Sequence, residues 1–212
     1  MVDENIEKVS IPSLRRLPLY YHYMKILKKR KVDYVSSTKI AEKMNLTPIQ
    51  VRKDLSITGV KGRARVGFNI KDALEKIEEF MGWKDKKDGI LVGCGDLGSA
   101  LLGYNNFKNY GFEIVAGFDV DEKITGTEIH GKRIFPIDRM ENLCKRLHIK
   151  VGIICVPSKS AQKVAERMID SGIEAIWNFA PAALEIPNDI ALHQEDMAAS
   201  LTILFKKHRK NR

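Results

Sequence analysis

The sequence predicts an α/β protein in two parts: a small, mostly helical N-terminal part, then a larger part in which strands alternate with helices. Three observations carry this. The apolar pattern is helical as far as a charged, glycine-bounded stretch, MGWKDKKDG at residues 81–89, and alternates strand with helix beyond it. The charge is lopsided: residues 1–84 hold 18 Lys+Arg against 10 Asp+Glu, and residues 85–212 hold 18 against 17. Finally, three glycines (Gly93, Gly95 and Gly98) stand between an apolar strand and a helical pattern. Domains are therefore expected at 1–84 and 85–194, with a terminal helix at 195–212.

Composition limits the function classes. With 212 residues and 44% hydrophobic content the chain can bury a core and is not a disordered segment. No apolar run approaches the roughly 18 residues a spanning helix needs. The start, MVDENIEKVS, has no apolar signal core and carries acids where a signal peptide carries bases. A cytoplasmic protein with no membrane partner is expected. Cys94, Cys144 and Cys155 form no paired spacing, so neither a disulfide framework nor a zinc site is expected. Residues 8–71 hold 16 basic against 3 acidic side chains, which points to a polyanion partner for the first third of the chain.

In that first third, Leu14, Leu17, Tyr20, Tyr21, Met24 and Leu27 recur at helical spacing, and the run ends in the basic cluster Lys28-Lys29-Arg30-Lys31. A second helix opens at Ser36 or Ser37 and carries Ile40, Ala41 and Met44, and Asn45 suits the turn after it. The third helix has the clearest start in the chain: Thr47 as cap, Pro48 at the first helical position, and Gln50 three after the cap. Two short helices joined by a tight turn make a helix-turn-helix. Lys61–Phe68 is too glycine-rich for a helix and reads as a short hairpin, or wing. Asn69 then caps a last helix with Leu74, Ile77 and Phe80 inward. The domain is a winged helix-turn-helix. If Val51 and Leu55 face the core, Ile49, Arg52, Lys53 and Ser56 point outward with Gln50 on the flank. Arg and Lys meet guanine edges or phosphates, Gln reads adenine, and Ile49 would meet a thymine methyl. Arg63 and Arg65 on the wing suit a narrow minor groove or its phosphates. The expected partner is double-stranded DNA.

The second part opens on a strand, Ile90–Val92, that runs into Gly93-Cys94-Gly95-Asp96-Leu97-Gly98 and then a helix. This is the order a Rossmann dinucleotide loop requires, with pyrophosphate at the helix N-terminus. Asp96 puts a negative charge in the loop, unless it points away and caps the helix. A second strand, residues 112–118, ends at Asp119, which lies 21 residues past Gly98, where a ribose-binding acid belongs. A carboxylate there repels a 2′-phosphate, so the expected cofactor is NAD(H). The alternation continues: helix 137–147, strand 151–156 ending at Val156 and Pro157, helix 161–169, strand 175–177 ending in Asn178-Phe179-Ala180-Pro181. Pro157 and Phe179 either line the nicotinamide end or only close loops. A terminal apolar helix with Met197, Leu201, Leu204 and Phe205 needs a partner surface, which a second subunit could supply.

The whole chain resembles the Rex family of redox-sensing transcriptional repressors. The resemblance rests on Ile11-Pro12, Arg16-Leu17-Pro18-Leu19-Tyr20-Tyr21, Thr47-Pro48 with Gln50-Val51-Arg52-Lys53-Asp54-Leu55-Ser56, the glycine loop, Phe118-Asp119-Val120-Asp121, and Asn178-Phe179-Ala180-Pro181. It implies a homodimer that binds a palindromic operator when NAD+ prevails and releases it with NADH, its C-terminal helix swapped between subunits. It also implies a nicotinamide-sensing role for Tyr104. The sensing surface would be an apolar pocket near Phe179, Pro157 and Tyr104 that tolerates the neutral reduced ring better than the cationic oxidised one. Two departures stand out. Asp96 replaces a usually uncharged residue. His22 replaces an Arg expected to pair with an Asp resembling Asp196, which would make that contact depend on pH.

The rival class is an NAD-dependent dehydrogenase with a basic accessory domain. Against it, no substrate domain of adequate size follows the Rossmann unit, and no His or Lys holds a convincing acid–base position. A third class, a scaffold binding RNA or an acidic protein, fits the thymine-type and guanine-type readers less well than duplex DNA. No enzyme activity is expected.

Overall fold

The computed structural model describes residues 9–210; the leader reading of residues 1–8 and the last two residues of the basic tail lie outside them. The chain divides between Asp85 and Lys86 into two compact units.

In the first unit, Ser10 caps α1 (Ile11–Lys29) by accepting from Ser13 N, and Leu17, Tyr20, Tyr21, Met24 and Leu27 form its buried stripe. The helix continues through Pro18, which lacks the N–H for one bond of the ladder. Next come β1 (Tyr34–Val35), α2 (Ser37–Met44) capped by Ser36, α3 (Pro48–Ile57), β2 (Phe68–Asn69) and α4 (Ile70–Phe80) capped by Asn69. Asn45 closes α2 in the left-handed conformation. All four helices pack on one core that includes Val35, Ile40, Val51, Leu55, Phe68 and Ile77.

Two sequence expectations shift here. The wing is a hairpin of one paired residue on each side, shorter than a ladder. Arg63 and Gly67 form a single bridge around a three-residue tip, and the strand after it pairs with β1, Val35 opposite Phe68. Trp83, placed in the linker by its charged neighbours, packs against the first core with its ring edge-on to Tyr21 at 5.0 Å.

The second unit holds β3 (Lys87–Val92), α5 (Asp96–Leu102), a 3-10 turn at Asn105–Tyr110, β4 (Phe112–Asp119), β5 (Glu128–Ile129), β6 (Lys132–Pro136), α6 (Met140–Leu147), β7 (Val151–Ile154), α7 (Ser158–Asp170), β8 (Ala175–Asn178), β9 (Ala191–Gln194) and α8 (Met197–Lys210). The sheet order is β5-β6-β4-β3-β7-β8-β9, parallel throughout except for β5. Taking the six parallel strands in chain order, this is the 3-2-1-4-5-6 arrangement of a Rossmann sheet, with its switch point between β3 and β7. Apolar clusters cover both faces of the sheet.

The strand starting the sheet begins at Lys87, inside the stretch read as linker, because Lys87 and Asp88 pair with Phe112 and Glu113. Strand β7 stops at Ile154, so Val156 and Pro157 belong to the turn that leads into α7, with Pro157 at its cap position. Helix α7 itself starts at Ser158, three residues before the apolar run that betrayed it.

Candidate functional site

Two surfaces carry the predicted residues, one in each unit. On the first, Thr47 and Gln50 form a reciprocal capping box that fixes where α3 starts. Val51, Asp54 and Leu55 are buried, while Ile49, Gln50, Arg52, Lys53 and Ser56 are exposed. Ile49 is 69% exposed, so its apolar side chain points away from the core beside Lys53 and Arg52. The Gln50 amide oxygen accepts from both Thr47 N and Thr47 Oγ1 at 3.0 Å. Only its NH2 therefore faces outward, which takes Gln50 away from the two-pronged adenine contact expected of it. Arg52 donates to Ser37 Oγ at 3.2 Å, and Arg63 donates to Tyr34 Oη at 3.2 Å with its guanidinium over the Tyr34 ring. Arg52, Ser56, Arg63 and Arg65 share one groove of about 540 Å³ between α3 and the wing.

The residue that sequence reasoning passed over is Asp54. It is 1% exposed on a helix whose other faces are basic or apolar. Arg16 donates to it twice, from Nε at 2.6 Å and Nη2 at 2.8 Å, and Tyr20 Oη donates at 2.7 Å. Burial pushes the Asp54 carboxyl up, but the hydrogen bonds from Arg16, Tyr20 and Ser13 outweigh it and hold it below its ordinary value. Burial, then the bond to Asp54, raises the Tyr20 phenol, so it stays a donor. The signal was present: Asp54 falls on the Val51–Leu55 stripe, and a charge on a core stripe demands a partner.

In the second unit the glycine loop is shaped by close approach. Gly93 has φ +94°, and a Cβ there would sit 2.5 Å from Cys155 O; a Cβ on Gly98 would sit 1.9 Å from Gly93 O. Gly95 differs: a Cβ there meets nothing within 4 Å. The packing of the chain itself therefore does not require a glycine there. Gly95 is also the cap of α5, so Asp96 is not; it is the first helical residue and is exposed. Leu97 is half-buried behind it. Cys94 turns its thiol inward toward Phe118 O. Burial pushes the Cys94 and Cys155 thiols up to about 12 and Cys144 up to about 11, so all three are protonated at neutral pH.

Asp119 ties the end of β4 to this loop. Its Oδ2 accepts from Cys94 N at 2.6 Å, and its Oδ1 accepts from Val120 N at 2.7 Å and Asp121 N at 3.0 Å. Three of roughly four acceptor positions are thus taken, leaving the carboxylate pinned with one direction open. A cleft of about 500 Å³ at the carboxyl ends of β3, β4 and β7 brings Gly93, Gly95, Asp119, Val156 and Pro157 together. This is the crevice at the switch point.

Phe179 and Tyr104 do not join that cleft, against the expectation of one apolar pocket with Pro157. Phe179 follows β8, two strands from β3, and lines a separate cavity of about 590 Å³ with Pro181, Gln194, Asp196 and Met197. Tyr104 is half-exposed beside the 3-10 turn. The two are instead ends of a chain of rings: Tyr104 to Phe107 at 4.8 Å, Phe107 to Trp177 at 5.9 Å, Trp177 to Phe179 at 4.7 Å. His22 is exposed on α1, and Asp196 Oδ1 accepts from Ala199 N at the start of α8. Among the described residues, no group of three or more His, Cys, Asp or Glu is placed to hold a metal ion, and no helix is long and apolar enough to cross a membrane.

Comparison with known proteins bears on both surfaces. A family model described as a putative DNA-binding protein N-terminus matches residues 8–56, and one described as a CoA binding domain matches residues 84–182. A relative from Treponema denticola, the redox-sensing transcriptional repressor Rex, is 42% identical over 91% of this chain and 92% of its own. The chain belongs to the Rex family. Two solved structures of RSP, itself described as a Rex-family repressor, have the same fold. The RSP complex with beta-NAD+ and operator DNA gives a TM-score of 0.89 at 32% identity, covering 96% of this chain and 94% of RSP. The beta-NADH complex gives 0.87 at 31%, covering 96% of each. The Rex fold thus accounts for the winged helix-turn-helix and the Rossmann sheet in one chain.

Proposed function

We propose that this chain is a cytoplasmic redox-sensing repressor, a homodimer that holds a palindromic operator when NAD+ prevails and is released by NADH, without catalysing a reaction. One observation carries the reading. An exposed basic recognition helix and a glycine-lined cleft at a sheet switch point occur in one chain, and the Rex-family repressor RSP is described both with beta-NAD+ on operator DNA and with beta-NADH.

On the DNA side, Ile49, Arg52, Lys53 and Ser56 are the reading face of α3, Gln50 donates through its NH2, and Arg63 and Arg65 carry the wing to the backbone. On the dinucleotide side, Gly93, Cys94, Gly95, Asp96, Leu97 and Gly98 form the pyrophosphate turn, the open space at Gly95 receiving the phosphates and the Cys94 and Leu97 side chains packing inward. Asp119 meets the adenosine ribose, and Val156 and Pro157 wall the cleft. Tyr104 and Phe179 act on the nicotinamide end through their ring chain. Coenzyme A carries a 3′-phosphate on the same ribose, which a carboxylate at Asp119 disfavours as it does the 2′-phosphate of NADPH. The dimer forms through α8, whose Met197, Leu201, Leu204 and Phe205 are each at least half exposed.

Lys53→Ala is expected to weaken operator binding by about 1–3 kcal/mol if Lys53 contacts a base, and the salt dependence of binding should be steep throughout. Fluorescence anisotropy on a labelled operator checks this; an Ala variant as tight as the parent removes Lys53 from the interface. Titration calorimetry should show NADH bound far more tightly than NADPH. Equal affinities would mean that Asp119 does not meet the ribose.

A further inference from the structure

The last strand of the sheet looks too weak to bear force. All four residues of β9 are exposed, and its ladder with β8 is its edge pairing. Yet this strand leads directly into Asp196 and α8, the element through which the proposed dimer forms. What secures it is a pair of side-chain amides.

Asn178, the final residue of β8, is completely buried. Its Nδ2 donates to Gln194 Oε1 at 2.7 Å, to Ala182 O at 3.2 Å and to Ala180 O at 3.3 Å. Its Oδ1 accepts from Ala180 N at 3.0 Å. Gln194 closes the ring by donating from Nε2 to Ala180 O at 2.8 Å, and Glu195 N donates to Asn178 O at 2.8 Å. The loop Phe179–Ala182 and the segment 194–196 are therefore held to one buried amide. The same two segments line the 590 Å³ cavity, through Phe179, Pro181 and Ala182 from the loop and Glu195, Asp196 and Met197 from the segment before and into α8.

We propose that the Asn178–Gln194 pair is a positioning device that makes the loop after β8 and the root of α8 one rigid piece, so that displacement at Phe179 on dinucleotide binding is delivered to α8. The device rests on the switch reading above. An amide network anchored on a buried, fully hydrogen-bonded asparagine has few alternative geometries, and small shifts pass through it rather than being absorbed. A flexible edge strand without the pair would let α8 stay where it was while the loop moved.

The test is Gln194→Met in the full chain. Methionine keeps the length and removes both amide bonds, and Asn178 retains its two backbone acceptors, so the fold survives. Three quantities are measured: operator affinity without dinucleotide, NADH affinity without operator, and operator affinity at saturating NADH. The first two should match the parent. The factor by which NADH weakens operator binding, about 5–150-fold for typical couplings, should fall toward one. Gln194→Glu keeps the acceptor for Asn178 but loses the donor to Ala180, and its coupling should lie between parent and Met variant. A Met variant with the parent's coupling factor overturns the device. So does one whose melting temperature and two separate affinities fall together with the coupling, since that is a structural role alone. A Glu variant coupled more weakly than the Met variant contradicts it as well. A parent chain whose operator affinity ignores NADH overturns the switch reading itself, and the device with it.

Discussion

Asp54→Ala should abolish operator binding while leaving dinucleotide affinity unchanged. The carboxylate accepts two bonds from the Arg16 guanidinium and one from the Tyr20 hydroxyl at the junction of α1 and α3. Removing it leaves a guanidinium and a phenol facing a cavity. Breaking a buried pair from one side costs about 3–5 kcal/mol, and because the Arg16 side chain is 22% exposed the lower end applies. A small domain has only about 5–15 kcal/mol in all. The loss is also directional: α3 loses the tie that fixes its rotation, and with it the aim of Ile49, Arg52, Lys53 and Ser56. Thermal unfolding should show the first unit melting earlier and the second unit unchanged. A loss below about 1 kcal/mol, the scale of an exposed ion pair, would mean that the network is ornamental. The same network sets an acid limit. The Asp54 carboxyl lies below its ordinary value of 3.8 in the folded chain, so its stabilisation is present above that value and is lost as pH falls through the folded one. Asp54→Asn should flatten this acid limb of the first unit's stability curve.

Gly98→Ala should remove dinucleotide binding and make operator binding indifferent to NADH. A Cβ at 1.9 Å from Gly93 O cannot be accommodated by a side-chain adjustment, because the obstacle is backbone. Helix α5 must retreat from the loop, at an overpacking cost of about 1–3 kcal/mol or more. Gly95→Ala makes the contrast. Its Cβ meets no protein atom, and its φ of −64° suits alanine, so the fold should melt as the parent does. Its affinity for dinucleotide should nonetheless fall, since the added methyl fills the space the phosphates need. Calorimetry with NADH, paired with melting curves, separates the two. A Gly95→Ala chain with parental affinity would place the phosphates elsewhere.

These cases also mark what was legible in the sequence. Thr47, Pro48 and Gln50 announced the start of α3 because capping is decided within four residues. Gly93, Gly95 and Gly98 announced the loop for the same reason: turn, approach and helix start all fall within one short segment. Ser36 and Asn69 marked the starts of α2 and α4, and Asn45 the end of α2, because each has the side-chain chemistry its position requires. Strand β6 was hidden because only Ile134 of its five residues is buried among basic and half-exposed neighbours. Strand β9 was hidden because none of its residues is buried; its backbone pairing and the tie from Gln194 to Asn178 leave no apolar alternation to read.

The sites divide in the same way. Candidate residues contributed by one local element could be named from their spacing. The Arg16–Asp54 tie joins residues 38 apart and the Tyr104–Phe179 ring chain crosses several strands, so both depend on tertiary packing. Gln50 shows a subtler limit. It was read both as a capping residue and as an adenine reader, and its oxygen cannot serve two partners at full strength once Thr47 holds it.

The central claim is that two ligand surfaces in one chain are thermodynamically linked. A ligand shifts a two-state dimer only through its different affinities for the two forms, and linkage makes the effect reciprocal. The direct measurement is operator affinity of the full chain, by anisotropy at fixed salt, as NADH replaces NAD+ at constant total dinucleotide. Operator affinity should fall as the NADH fraction rises, stay high in NAD+ alone, and NADH absorbance should remain constant throughout. Operator affinity unchanged at saturating NADH would contradict the account.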